Sequence, residues 1–284
     1  MLSVALPNKG ALNEGATAIF KAAGYRLRME SRELSFLDEA NGIEFFYLRP
    51  RDIATYVASG DLDLGITGRD LLADSDCQVS EELALDFGRS QFRWAGPSEL
   101  VASGAITEKA IAGKRLATAY PKIVSKYLTE KRISASIVAL DGAVEGAIKL
   151  GVADVIADVV ATGNTLKQAG LAVFGAPILE SEAVLIARPD CAPIALERVR
   201  RRLNGVVIAR QYVLVDYDVK AADLERACAI TPGIESPTVA PLQKSGWFAV
   251  RAMVKQSEVH KVMDSLWELG ARGILVTDIH SSRI

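Results

Sequence analysis

Short apolar strands that end on small polar turns and pass straight into helices recur along this chain. That rhythm restricts it to an α/β fold built on parallel strands. Leu2–Leu6 meets Pro7-Asn8-Lys9-Gly10, and Leu12, Ala16, Ile19, Phe20 and Ala23 then recur at helical spacing as far as Gly24, a helix-ending residue. Ile43–Leu48 meets Arg49-Pro50-Arg51-Asp52, with Pro50 suited to a helix's first turn. Asp63–Ile66 meets Thr67-Gly68-Arg69-Asp70 and then Leu71-Leu72. Lys114–Ala119 meets Tyr120-Pro121, and Ser136–Leu140 meets Asp141–Glu145, a helix start that Asp141 can cap. In such folds ligands bind at the C-terminal ends of the strands. Lys9, Arg49 and Arg69 stand on those ends. Each also reads as an ordinary surface cation, Arg69 as a partner of Asp70.

The pattern is densest from Asp154 to Thr165. Val155, Ile156, Val159 and Val160 predict a buried strand, interrupted by the carboxylates of Asp154 and Asp158. Thr162-Gly163-Asn164-Thr165 then supplies hydroxyls, an amide and a glycine at a helix entrance, where unpaired backbone N–H groups favour an anion. Together these suit a cup for a sugar phosphate. They suit a Thr-capped helix behind a strand with terminal aspartates about equally well.

Bulk properties remove other classes. A net charge of −2 with 24% charged residues gives no support for nucleic-acid or membrane binding. No apolar run is long enough to span a bilayer, and the N-terminus lacks the basic flank and long apolar core of a signal peptide. Cys77, Cys191 and Cys228 are far apart and form no Cys-x-x-Cys pair, which argues against zinc and for a reducing cytoplasm. The two histidines, His260 and His280, lie near the C-terminus, so histidine acid–base chemistry in the central region is not expected.

From about residue 211 the pattern changes. Strands at Tyr212–Asp216, Ser236–Leu242, Trp247–Val254 and Gly273–Ile279, with helices at Ala221–Ala229 and Ser257–Leu269, spell β-α-β-β-α-β, a ferredoxin-like unit. Pro237 and Pro241 assign the second strand to an edge. No catalytic cluster stands out there, which suits a regulatory or oligomerising module.

The stretch from Glu145 through Gly151, Ala153, Ile156, Asp158-Val159 and Thr162-Gly163 to Thr165-Leu166 resembles the signature of ATP phosphoribosyltransferase, the first enzyme of histidine biosynthesis. Pro7–Gly10, Leu48-Arg49-Pro50, Gly65–Asp70 and Ala119-Tyr120-Pro121 are similar to landmarks of the same family, and the tail resembles that of its long form, as in actinobacteria. The resemblance implies a two-domain core like a type II periplasmic binding protein, followed by the ferredoxin-like unit. Residues 1–90 and 184–210 would form catalytic domain I, 91–183 domain II and 211–284 the regulatory domain.

The family's reaction, attack by N1 of ATP on C1 of phosphoribosyl pyrophosphate with inversion and loss of pyrophosphate, implies roles for particular residues. Asp154, Ala157, Asp158, Val159, Thr162, Gly163, Asn164 and Thr165 would bind phosphoribosyl pyrophosphate. Lys9, Arg49 and Arg69 would meet the phosphate charges, and Gly10, Asp70, Leu71, Tyr120 and Glu145 would lie by ATP. Mg²⁺ would be held mainly by substrate, with Asp154 and Asp158 as its candidate protein ligands. Histidine would bind the tail at Asp218, Ser236, Thr238 and Gly273, the last standing where an alanine is expected. AMP would be a second inhibitor, and the assembly would interconvert between dimers and hexamers in the cytoplasm. The competing class is a non-enzymatic small-molecule receptor, since two-domain clefts also serve solute-binding proteins.

Overall fold

In a computed structural model of the chain, residues 1–27 and 34–283 are described. They form two compact units: residues 1–20 with 25–200, and residues 21–24 with 201–284.

The first unit begins with β1 (Leu2–Pro7), α1 (Gly10–Ala22), β2 (Ser35–Asp38), β3 (Ile43–Leu48), α2 (Pro50–Ala58), β4 (Leu64–Gly68), α3 (Arg69–Ser75) and β5 (Ser80–Ala84). The chain then leaves this sheet for β6 (Ser90–Pro97), α4 (Ser98–Ala102), β7 (Arg115–Thr118), α5 (Pro121–Lys131), β8 (Ser136–Ala139), α6 (Gly146–Lys149), β9 (Val155–Val160), α7 (Asn164–Gln168) and β10 (Leu171–Ser181). It returns to the first sheet with β11 (Ala183–Ala187), and α8 (Pro193–Gln211) follows.

The first sheet runs β2-β3-β1-β4-β11-β5, and the second β10-β6-β9-β7-β8. In the first, β3, β1 and β4 are parallel neighbours, so the turns bearing Lys9, Arg49 and Arg69 follow three adjacent strands on one edge. In the second, β7 is parallel to both β8 and β9, so the turns bearing Tyr120 and Thr162 share an edge too. Two sheets crossed twice by one chain give the two-lobed core that the sequence resemblance implies.

Alternation of side chains explains the packing. On one face of the second sheet Val155 and Ala157 join Phe92, Trp94, Leu116 and Val124; on the other Ile156 joins Ala95, Ala117, Val144 and Leu166. Such burial of a large aliphatic or aromatic side chain stabilises by about 1.5–3 kcal/mol. The two crossings lie side by side. Leu85 N–H donates to Ala183 O and Ala183 N–H to Phe87 O, while Glu182 Oε2 accepts from Asp86 N–H at 3.0 Å.

The second unit contains β12 (Tyr212–Lys220), α9 (Leu224–Ile230), β13 (Thr238–Pro241), β14 (Trp247–Lys255), α10 (Val259–Leu269) and β15 (Arg272–Asp278). The sheet order is β13-β14-β12-β15. Val213, Val215, Tyr217 and Val219 alternate into a core with Ala227, Val259 and Leu266 from the helices. The edge position of β13 agrees with its prolines, which offer no N–H to a further strand.

Two strands, β2 and β5, carry no clear apolar alternation and are not expected from the sequence. The helix expected to open at Asp141 begins later, at Gly146, and lasts a single turn. Asp141 is exposed, and no side chain caps that helix.

Candidate active site

Gly163 organises the end of β9. Its φ is +73° and ψ 4°, the left-handed region in which glycine avoids the Cβ clash. It stands at the N-cap of α7, and the cap makes no side-chain hydrogen bond, so the helix is not capped by Thr162. Thr162, Asn164 and Thr165 are exposed around it. Thr162 and Gly163 line a cavity of about 1000 Å³ together with Arg69, Arg93, Lys167 and Ser181.

Asp158 lies on β9 four residues before Thr162, and Val159 N–H donates to its Oδ1 at 2.8 Å. Burial pushes its carboxyl up to about 6; the neighbouring charges of Glu145 and Asp70 add to the rise, while the Val159 bond and Arg51 oppose it. The Tyr120 phenol, just past the end of β7, faces the Asp70 carboxylate. Burial, then Asp70, push the phenol far above its ordinary range. The Asp70 carboxylate accepts from Ser181 Oγ at 2.6 Å, and its amide donates back to that oxygen at 3.0 Å. Asp158, Glu145, Asp70 and Tyr120 therefore converge, as expected of a substrate site assembled from several strand ends. Leu71 is half-buried beside this group, next to Gly68, where a Cβ would collide with Asp70 Oδ1.

Lys9, Gly10 and Arg49 are exposed at the ends of β1 and β3, which are joined there by the Asn8 N–H to Leu48 O bond. Gly10 has φ +75° and opens α1. The geometry of the other expected residues departs from the sequence reading. Arg69 does not pair with Asp70, nor is its charge free. It grips Glu81 with Nε and Nη2 and meets Glu182 at 3.4 Å, and these carboxylates hold the guanidinium above its usual range.

Asp154 lies before β9, at the opposite end of the strand from Thr162. Arg115 binds it through its backbone N–H, Nε and Nη2, at 2.9, 3.3 and 2.8 Å. Those bonds depress its carboxyl to about 2. At roughly 3.3 Å of rise per strand residue, the length of β9 separates it from the phosphate turn, so it is withdrawn as a ribose or metal ligand. Ala157 is fully buried and turned into the core, so it supplies packing beneath the site rather than a contact; Val159 is half-buried against the same core.

Asp158 is thus left as the one carboxylate of the expected metal pair facing the site. Among the described residues no group of three His, Cys, Asp or Glu side chains converges to hold a metal ion. This donor set fits a magnesium ion carried on substrate oxygens, the coordination that ion favours. Arg51, Asp74 and Ser181 meet the same groups and are not marked out by the local sequence; Asp74 sits in the last turn of α3 and its partners are distant along the chain.

In the second unit Asp218 faces Gly273, whose φ is +61°; a Cβ there would lie 3.4 Å from Asp218 Oδ2. The left-handed backbone explains glycine where alanine is expected. Thr238 is exposed on β13 opposite Arg251, which binds Asp216 at 2.7 Å. Ser236 is exposed just ahead of β13. β14 lies between Thr238 and Asp218, with Ala249 beside Asp218, so the two are about 10 Å apart rather than adjacent.

Comparison with known proteins gives the family of this fold. The family model described as ATP phosphoribosyltransferase (HisG) matches residues 49–205, and that described as HisG, C-terminal domain, matches 209–281. The ATP phosphoribosyltransferase of Kocuria rhizophila is 55% identical over 285 residues, covering 100% of both chains. That of Streptomyces coelicolor is 53% identical over 290 residues, with the same coverage. Among solved structures, the ATP phosphoribosyl transferase (HisG:HisZ) complex from Thermotoga maritima is similar at a TM-score of 0.62 and 28% identity, covering 73% of this chain and 99% of that one. The chain belongs to the ATP phosphoribosyltransferase family, pentosyltransferases of histidine biosynthesis, and carries that family's C-terminal domain.

Proposed function

We propose that this chain transfers the phosphoribosyl group of phosphoribosyl pyrophosphate to N1 of ATP, with inversion at ribose C1 and release of pyrophosphate, and that histidine inhibits it through the C-terminal domain. The observation that carries the reading is the glycine turn at Thr162-Gly163, which opens on a large cavity at the end of the strand that holds Asp158. Backbone N–H groups and hydroxyls of Thr162, Gly163, Asn164 and Thr165 bind the 5′-phosphate. Asp158, ionised when substrate is bound, accepts from ribose hydroxyls. Lys9 and Arg49 face the leaving pyrophosphate; Gly10, Asp70, Leu71, Tyr120 and Glu145 lie on the nucleotide side.

The transition state is oxocarbenium-like, with positive charge growing on the sugar and negative charge on the leaving group. Positioning and electrostatics therefore carry most of the catalysis. Mg²⁺, when bound with substrate, neutralises pyrophosphate charge. Residues 1–90 with 184–210 and residues 91–183 act as the two catalytic domains, and 211–284 as the regulatory one. In the latter, Asp218 accepts from the α-ammonium of histidine, near Gly273, and Ser236 and Thr238 meet the far end of a ligand lying across Ala249. AMP competes at the nucleotide side, and dimers assemble reversibly into hexamers.

The test mixes protein, ATP, Mg²⁺ and phosphoribosyl pyrophosphate and follows pyrophosphate. Release that requires both substrates and falls on addition of histidine is expected. No release overturns the reading in favour of a receptor, and release insensitive to histidine overturns its regulatory half.

A further inference from the structure

The segment Ala119–Ile123, between β7 and α5, is held from outside its own sheet. Its helix begins with Tyr120 at the N-cap, and no side chain of its own caps it. Asp74 of α3 takes that place: its Oδ1 accepts from the amides of Lys122 and Ile123 at 3.0 and 3.4 Å. Unpaired amides at a helix start, together with the helix dipole, favour a carboxylate there. Asp74 is buried, and its Oδ2 binds Arg51 Nη1 at 3.3 Å. Arg51, from α2, donates through Nη2 to Ala119 O at 2.7 Å and lays its guanidinium 4.5 Å from the centre of the Tyr120 ring. Lys122 Nζ completes the strap by donating to Ser75 O at 2.8 Å.

Apart from the Arg51–Asp74 pair itself, these bonds run from α2 and α3, which belong to the first sheet's half, to the entry of α5 in the second. Tyr120 is the residue they enclose. Its backbone, at φ −128° and ψ 67°, matches neither a helix nor a strand and is kept there by its neighbours. Its amide is tied to Thr118 Oγ1 at 2.9 Å, its ring is covered by Arg51, and its hydroxyl faces Asp70.

We propose that Asp74 is a positioning residue: through Arg51 and the first turn of α5 it fixes Tyr120, and so sets the affinity of the nucleotide side without touching substrate. This rests on the reading of Tyr120 as a nucleotide contact. Asp74→Asn keeps an oxygen for the two amides but turns an NH₂ group toward Arg51, donor against donor, and removes the charge that holds the guanidinium. The effect is specific to one substrate, which general loosening of the fold is not.

The experiment measures KM for ATP and for phosphoribosyl pyrophosphate in the full chain for Asp74→Asn, Arg51→Lys, Tyr120→Ala and the Asp74→Asn/Tyr120→Ala pair. Arg51→Lys keeps the charge but not the planar fork, and it serves as the second probe should Asp74→Asn fold poorly. Expected are rises of about tenfold in KM for ATP in all three single variants, with KM for phosphoribosyl pyrophosphate within about twofold. The double variant should be no worse than Tyr120→Ala alone, because the two act on one contact. An equal rise for both substrates, or additive effects in the pair, overturns the positioning role while leaving Tyr120 at the nucleotide. An unchanged KM for ATP in Tyr120→Ala overturns the nucleotide reading itself, and the positioning role with it.

Discussion

Ser181 and Asp70 hold each other from two sides: the Ser181 hydroxyl donates to Asp70 Oδ1 at 2.6 Å and accepts from the Asp70 amide at 3.0 Å, with both residues buried. Ser181 ends β10, the strand that leads back to the first sheet, so one hydroxyl fixes a carboxylate that Tyr120 also uses. Replacing it with alanine leaves a buried carboxylate short of a donor, which costs about 1–3 kcal/mol. Ser181→Ala should lower the denaturant midpoint accordingly and raise KM for ATP; an unchanged midpoint would show that the bond contributes nothing net.

Asp158 predicts a pH dependence of definite sign. Its folded value of about 6 lies above the ordinary 3.8, so the folded state holds the proton more firmly. The stability this contributes is complete below about pH 4 and is lost as pH rises through 6. Asp158→Asn should therefore be more stable than wild type at pH 7.5, on the order of 2 kcal/mol, and no more stable at pH 4. Activity moves the other way. If the ionised carboxylate serves the ribose, kcat/KM climbs with an apparent pKa of about 6 in wild type, and Asp158→Asn loses that limb together with activity. A wild-type profile flat from pH 5 to about 7.5 would contradict the assignment.

The two ends of β9 should behave differently. Thr162→Val raises KM for phosphoribosyl pyrophosphate and leaves the melting temperature in place. Asp154→Ala leaves that KM alone and costs less than about 1 kcal/mol, since the Arg115 pair is largely exposed. Steady-state kinetics with thermal melts distinguishes them; a raised KM in Asp154→Ala would restore the residue to the site.

Arg49→Ala tests the leaving-group side. Loss of a cation facing the pyrophosphate should reduce kcat/KM at least about tenfold, each tenfold being about 1.4 kcal/mol. Equal kinetics for variant and wild type would assign Arg49 to the solvated surface.

For the regulatory domain, calorimetry with histidine decides. Asp218→Ala should abolish measurable binding. Gly273→Ala should weaken it, because the residue beside Asp218 must hold φ +61°, a region that alanine rarely adopts. Full affinity in both would remove histidine from this sheet.

The fold was largely legible because its strands and turns are local signals. Pro50, Gly163 and the β-branched run of β9 each act within a few residues, and the prolines of β13 announce its edge position. What escaped the sequence were relationships between distant segments. Nothing near Asp154 tells that Arg115 faces it from β7, or that Arg69 will choose Glu81 and Glu182 over its neighbour Asp70. Ala157 lies inside the signature stretch but is turned into the core by the pleat. Asp74 and Ser181 are ordinary polar residues until the fold brings Arg51 and Asp70 to them. The candidate phosphate turn, whose residues are consecutive, was legible; the carboxylate cluster, drawn from four elements, was legible only in part.

The chain passes between the two sheets twice, at residues 85–89 and at Glu182, and the two passages are bonded to each other. Bound in this way they form one strip, so the two halves of the first unit join along a single line. Gly88, at φ +65°, shapes the turn of the first passage. Away from that line, Arg51 and Asp74 tie the same two halves at the entry of α5. Arg69, paired with Glu182, sits on the joining line itself and lines the cavity from there.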